Sequence, residues 1–145
     1  MKPRDLGIWA LVLGFGMQIP FGLSVALGYT GPLWAWHRHR LAQQLSQTAE
    51  LSPDAMAIAA QLAAMLGATM ACWALSMLLV VHFPLRKGEA WAWWCVAGSS
   101  ALWFLVDTAL SWHHGAWVNV AFNVTAGVMI GLPLLLCRPG PSAAL

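Results

Sequence analysis

Four stretches of this chain run for some twenty residues or more with almost no charge. They extend from about Leu6 to Tyr29, Ala55 to Phe83, Ala90 to Leu110 and Ala116 to Cys137. A helix needs about 20 mostly apolar residues to cross a hydrocarbon core ~30 Å thick. The runs are continuous, whereas a membrane strand alternates polarity over about ten residues. Only 8% of the 145 residues are charged, against about a quarter in a soluble domain. The expectation is an all-α, polytopic membrane protein. It is a single domain, 1–145, built as a four-transmembrane-helix antiparallel bundle.

Loop charge sets the expected orientation. With four spans, Lys2, Arg4, Arg86, Lys87 and Arg138 share the side of the termini, and Arg38 and Arg40 fall on the other. The excess of Lys and Arg marks the cytoplasmic side, so both termini are expected there. The first run exceeds the 7–15 apolar residues of a signal-peptide core, and it contains Gln18 and Pro20; it is expected to be a retained helix. The expected location is the cell (inner) membrane, multi-pass. The net charge of +2, without a basic run, points away from nucleic acid.

The outer loop, 30–54, is the one substantial segment between spans. Leu41, Leu45 and Ala49 recur every four residues among polar neighbours, the pattern of a short amphipathic surface helix. Ser52-Pro53-Asp54 reads as a helix start: a capping hydroxyl, a proline suited to the first turn, and an acid at the positive end. Small or polar residues recur at helical spacing in each span, as in Gly14, Gln18 and Gly22, or Ala64, Gly67, Ala71 and Ala74. Such stripes let helices approach closely in lipid, and they are expected to face one another.

Asp107 is the only Asp, Glu, Lys or Arg within the four runs. An acid at membrane depth is costly and is a functional-site hypothesis by default. Taking His113 as the middle of the last turn puts Asp107 level with Asn119, and Asn123 one turn deeper. Gln61 on the second span, Gln18 on the first and Trp103, one turn before Asp107, complete the candidate ligand-binding set. The alternative is structural, with Asp107 accepting hydrogen bonds from Asn119 or tryptophan N–H groups to fix helix register.

Other chemistries find less support. His113 and His114 in the turn and His37 and His39 in the outer loop share a side, and imidazole suits zinc or copper. Their spacing matches no metal motif, so no metal is expected. Only His82 lies clearly within a span, which leaves a membrane haem without facing axial ligands. Cys72, Cys95 and Cys137 form no CxxC pair and read as packing residues. No cofactor is implied, and no catalytic residue is assigned.

The stretch RKGEAWAWWCVAGSSALWFLVDTALSWHHGAWVNVAFN resembles uncharacterised small four-helix bacterial integral membrane proteins, broadly DoxX-like. Arg86, Lys87, Trp91, Trp93, Trp103, Asp107, Thr108, Gly115, Asn119 and Asn123 carry the resemblance, over positions 86–123. It implies a bundle in a bacterial inner membrane and an important final hairpin, and it supplies no activity. Size and helix count are also similar to the sterol-isomerase-type domains related to emopamil-binding protein. Those place several intramembrane acids and a histidine around a lipidic cavity, where this chain has Asp107 alone. The leading expectation is a non-enzymatic membrane protein whose polar cluster around Asp107 binds a small apolar or amphipathic ligand. A partner helix, a second copy of the chain included, is the other occupant of that reading. The alternatives are an enzyme acting on a lipidic substrate with Asp107 as acid or base, and a structural accessory subunit.

Overall fold

The computed structural model describes residues 2–46 and 50–139, with the backbone alone at 45 and 46. Every regular element among them is helical: α1 (Pro3–Gly28), α2 (Ala35–Ser46), α3 (Pro53–Val80), α4 (Ala90–His113) and α5 (Trp117–Leu136). A 3₁₀ turn, Pro32–Trp34, leads into α2, and a π turn, Val81–Leu85, extends α3. Apart from α2, all are long and apolar enough to cross a membrane. Large apolar side chains such as Leu13, Leu27, Leu62, Leu105 and Leu132 point outward. In water that much exposed apolar surface would drive association; against acyl chains it is the solvated face.

α1 is the central helix, packed against α3 on one flank and α5 on the other, with α4 beyond α5. α3 and α4 touch little along their length, and the ring closes where the π turn packs against both α1 and α4. The start of α1 and the end of α5, the termini side of the described residues, lie together, since the Cys137 thiol reaches the Arg4 carbonyl at 3.7 Å. The main core sits in that termini-side half, around Phe15, Leu11, Val81, Leu85 and Val96. A smaller cluster of Val25, Tyr29, Trp34 and Ala63 closes the far end.

The small residues set the closest crossings. A Cβ on Gly22 would lie 2.7 Å from the Gly67 carbonyl oxygen and 2.9 Å from the Ala71 nitrogen. The α1 and α3 backbones are therefore in contact there, which only glycine permits. Gly7 brings α1 against Pro133 of α5 and Cys137 just past its end in the same way. Gly14, by contrast, faces open space.

Side chains cap three of the helix ends. The Ser52 hydroxyl accepts from the Ala55 N–H at 3.3 Å, with Pro53 in the first turn of α3. At the other end of α3, Arg4 Nη2 donates to the Leu85 carbonyl at 2.8 Å, placing a cation on the negative helix terminus. Arg38 does the same for α1, donating to Tyr29 and Gly31 carbonyls. α2 starts six residues before Leu41, where the amphipathic pattern begins; of that pattern, the Leu45 side chain and Ala49 lie outside the described residues.

One boundary matters for the site. The sequence ends the third span at about Leu110, but α4 continues to His113. Gly115, at φ +70°, ends it. The Ala116 N–H donates to the Ser111 carbonyl at 2.8 Å and the Gly115 N–H to the Trp112 carbonyl at 3.0 Å. This paired 6→1 and 5→2 bonding is a Schellman motif, which needs a residue tolerant of positive φ at the position Gly115 holds. The middle of the turn therefore falls near Gly115 rather than at His113.

Candidate functional site

Moving the turn by two residues changes Asp107's partner. Asp107 and Asn123 are each eight positions from Gly115, so they are level across the α4–α5 seam. Asn123 Nδ2 donates to Asp107 Oδ2 at 2.9 Å. Asn123 is buried, at 5% exposure, and Asp107 is half-buried. The expected Asp107–Asn119 pairing is thus replaced by Asp107–Asn123. Asn119 lies one turn nearer the far surface, where its Oδ1 is 3.2 Å from His37 Nε2 of α2.

The seam can be followed towards the termini. One turn below the polar pair, the Phe104 ring lies on Gly127, where an added Cβ would meet it at 3.0 Å. Beyond this, α4 and α5 leave a trench of about 510 Å³. Its walls include Ala97, Ser100 and Phe104 on α4 and Gly127, Gly131 and Leu135 on α5. A Cβ on Gly131 would meet nothing within 4 Å, so the missing side chain is part of the hollow. At the termini end, Trp93 Nε1 donates to the Leu134 carbonyl at 2.9 Å and ties the two helices together again. That carbonyl lies in the last turn of α5, where no N–H four residues on completes the helix bonding and the Cys137 N–H also donates to it, at 3.1 Å. The hydroxyl oxygens of Ser100, beside the trench, and Thr108, beside Asp107, are buried without a hydrogen-bond partner.

Trp103 is half-buried and borders the same trench. Its ring is 6.1 Å from that of Trp73 on α3, which in turn meets Phe15 edge-on at 5.7 Å. This aromatic row spans the gap between α3 and α4. Gln18 is half-buried on α1 and takes no part in the Asp107–Asn123 bond. Gln61 is exposed. It lies two residues before the buried Ala63, about 200° around the helix, on the face turned away from α1. The structure therefore brings Asp107, Asn123 and Trp103 together along one seam and leaves Gln61 outside it.

The histidines occupy a separate place. His37 is ringed by Tyr29, Trp34 and Phe122 at centroid distances of 6.2, 5.6 and 5.9 Å. Burial lowers its pKa below 6.5; the bond to Asn119 opposes this and Arg38 adds to it. His37 is then neutral at pH 7, consistent with its apolar ring of neighbours. His113 and His114 stack edge-on with each other at 5.1 Å. Among the described residues no three His, Cys, Asp or Glu side chains converge as a metal site, His39 included.

Sequence spacing alone did not indicate the trench or the packing of α2 over the far end. The Gly127/Gly131 pair was a signal for the first, since two glycines on one face of a helix mark either a close crossing or a groove. Compared with protein-family models, curated proteins and solved structures, the chain matches none.

Proposed function

We propose that this is a non-enzymatic, multi-pass protein of a bacterial inner membrane that binds a small apolar or amphipathic ligand along the α4–α5 seam. The trench of about 510 Å³ ending one turn from the Asp107–Asn123 pair carries this reading. Its volume falls in the range of small-ligand sites, roughly 300–1,000 Å³, which are mostly apolar with a few placed polar groups. The trench supplies the apolar wall, the unpaired Ser100 hydroxyl borders it, and the Asp107–Asn123 pair lies one turn beyond its closed end. Five basic residues on the termini side against two on the other favour cytoplasmic termini.

The test is native mass spectrometry of protein purified in mild detergent, comparing the parent chain with Gly131→Leu. A Cβ at this lining position meets no atom within 4 Å, so leucine starts into the hollow without a backbone clash at Cβ. A co-purifying lipid-sized mass on the parent that is absent from the variant supports the reading. Equal retention by both removes it, as does a second copy of the chain in place of any ligand.

A further inference from the structure

The α4–α5 seam does not end at Trp93. Just beyond the termini-side ends of the two helices come Glu89, immediately before α4, and Arg138, two residues past α5. Both line a second hollow, of about 260 Å³, together with Arg4, Gly88 and Cys137. It is bounded by the start of α1, the turn between α3 and α4, and the end of α5. Two of its lining residues are arginines. Arg4 is already positioned, because its Nη2 bonds to the Leu85 and Arg86 carbonyls at 2.8 and 3.4 Å. A guanidinium has five N–H donors, so Nε and Nη1 are not consumed by those bonds. Arg138 is exposed, and Arg86 and Lys87 are exposed beside Gly88. The acid in the hollow, Glu89, accepts from the Trp91 indole through Oε2, which draws that oxygen towards Trp91. Burial pushes the Cys137 thiol up, against the lowering by Arg4, so it adds no negative charge near neutral pH.

The trench has the dimensions of one leaflet. From Trp93 to Phe104 it runs eleven residues, about 16 Å at 1.5 Å per residue, or roughly half of a ~30 Å hydrocarbon core. It stops at the Phe104–Gly127 contact and the polar pair beyond. A chain lying in it would start at the termini-side interface and end near mid-membrane.

We propose that the two hollows form one site for a phosphate-bearing lipid of the termini-side leaflet, with the phosphate between Arg4 and Arg138 and an acyl chain in the trench. This rests on the trench being a ligand site, as argued above, and adds the chemical class of the ligand. The Trp93 indole, held on the Leu134 carbonyl, forms the sill between headgroup and chain. Basic pockets between spans recognise anionic headgroups through charge and N–H donation together.

The experiment compares phosphatidylglycerol with diacylglycerol of the same acyl chains, each titrated into full-length protein in neutral detergent and read by native mass spectrometry. The parent chain should retain phosphatidylglycerol in preference to diacylglycerol, and added salt should narrow the difference. Arg138→Gln should weaken phosphatidylglycerol about fivefold, the effect of one basic residue near an anionic surface. Arg138→Lys, which keeps the charge, should recover most of it. Gly131→Leu should weaken both lipids. Equal retention of the two lipids, or no effect of Arg138→Gln, overturns the phosphate assignment while leaving the trench intact. Arg138-dependent binding that ignores Gly131→Leu overturns the trench reading instead, and with it the joint site. Inorganic phosphate binding as tightly as phosphatidylglycerol overturns the lipid assignment.

Discussion

The Asp107–Asn123 bond can be weighed by removing each end and then both. Asp107→Leu takes away the acceptor and leaves the Asn123 amide, 5% exposed, with an unpaired donor in an apolar seam. A stranded buried polar group costs about 1–3 kcal/mol. Asn123→Leu should cost a similar amount by stripping the donor from half-buried Asp107. Asp107→Asn keeps an oxygen for Asn123 and should cost less than Asp107→Leu. In the double variant Asp107→Leu/Asn123→Leu no polar atom is stranded, and exchanging both partners for apolar groups of similar shape is nearly neutral. The cycle should then return a coupling energy of at least about 1 kcal/mol, well above the ~0.5 kcal/mol scatter of independent sites. Reversible unfolding in mixed detergent micelles, followed by circular dichroism, supplies the four free energies. An Asp107→Leu protein as stable as the parent, or a double variant as unstable as the sum of the singles, would refute the pairing and with it the placement of the α4–α5 seam.

Two further perturbations probe other parts of the bundle. Gly67→Ala and Gly14→Ala should change stability in opposite directions. Both gain up to ~1 kcal/mol of helix propensity, but an alanine Cβ at Gly67 strikes the α1 backbone at Gly22 and Ala26, and overpacking costs about 1–3 kcal/mol. At Gly14 nothing is struck, so thermal unfolding should rise for Gly14→Ala and fall for Gly67→Ala; equal shifts would sink the α1–α3 crossing. The His37 prediction is one of pH. Its folded pKa is lowered, mainly by burial, so the unfolded chain binds more protons just below pH 6.5. Its contribution is present above about pH 6.5 and is lost as pH falls through the folded value. The parent should lose more stability than His37→Gln between about pH 7 and pH 5. Parallel curves would show that His37 is not held neutral.

The bundle was legible because its signal is additive: four long apolar runs with one interior charge leave little choice of architecture. The small-residue spacing also carried real information, since Gly22 and Gly67 do meet backbone to backbone. What failed was register across the hairpin. The apolar run thins at Ser111, so hydropathy ends the helix there, but backbone hydrogen bonding does not follow hydropathy. Gly115 supplies the positive φ that lets α4 take three more residues, and those residues move Asp107 from Asn119 to Asn123. Gln61 failed for a different reason. Its depth could be counted from the start of α3, but its face depended on which side of α3 meets α1, and alanines run round much of that helix. The trench depended on which of two glycines is filled by a neighbour: Phe104 covers Gly127 and nothing covers Gly131.

A polar pair in this seam does more for register than for raw stability. Interhelical hydrogen bonds in membranes average only ~0.6 kcal/mol, with a maximum near 1.7, too little to assemble two helices. The penalty for missing the bond is larger, about 1–3 kcal/mol for each stranded group. Sliding α5 one turn towards the far surface would strand Asp107 and Asn123 together. The opposite slide would bring Asn119 to Asp107 but strand Asn123 and break the Asn119–His37 contact. Either wrong register is therefore disfavoured by more than the right one is stabilised. The small residues along the seam make that distinction poorly, because glycine, alanine and serine offer few shape differences from one turn to the next. Correct register is also what sets Phe104 over Gly127 and leaves Gly131 uncovered. Asp107 therefore defines the trench without lining it, and a substitution that frees the register should close or shift the hollow even though it lies a full turn away.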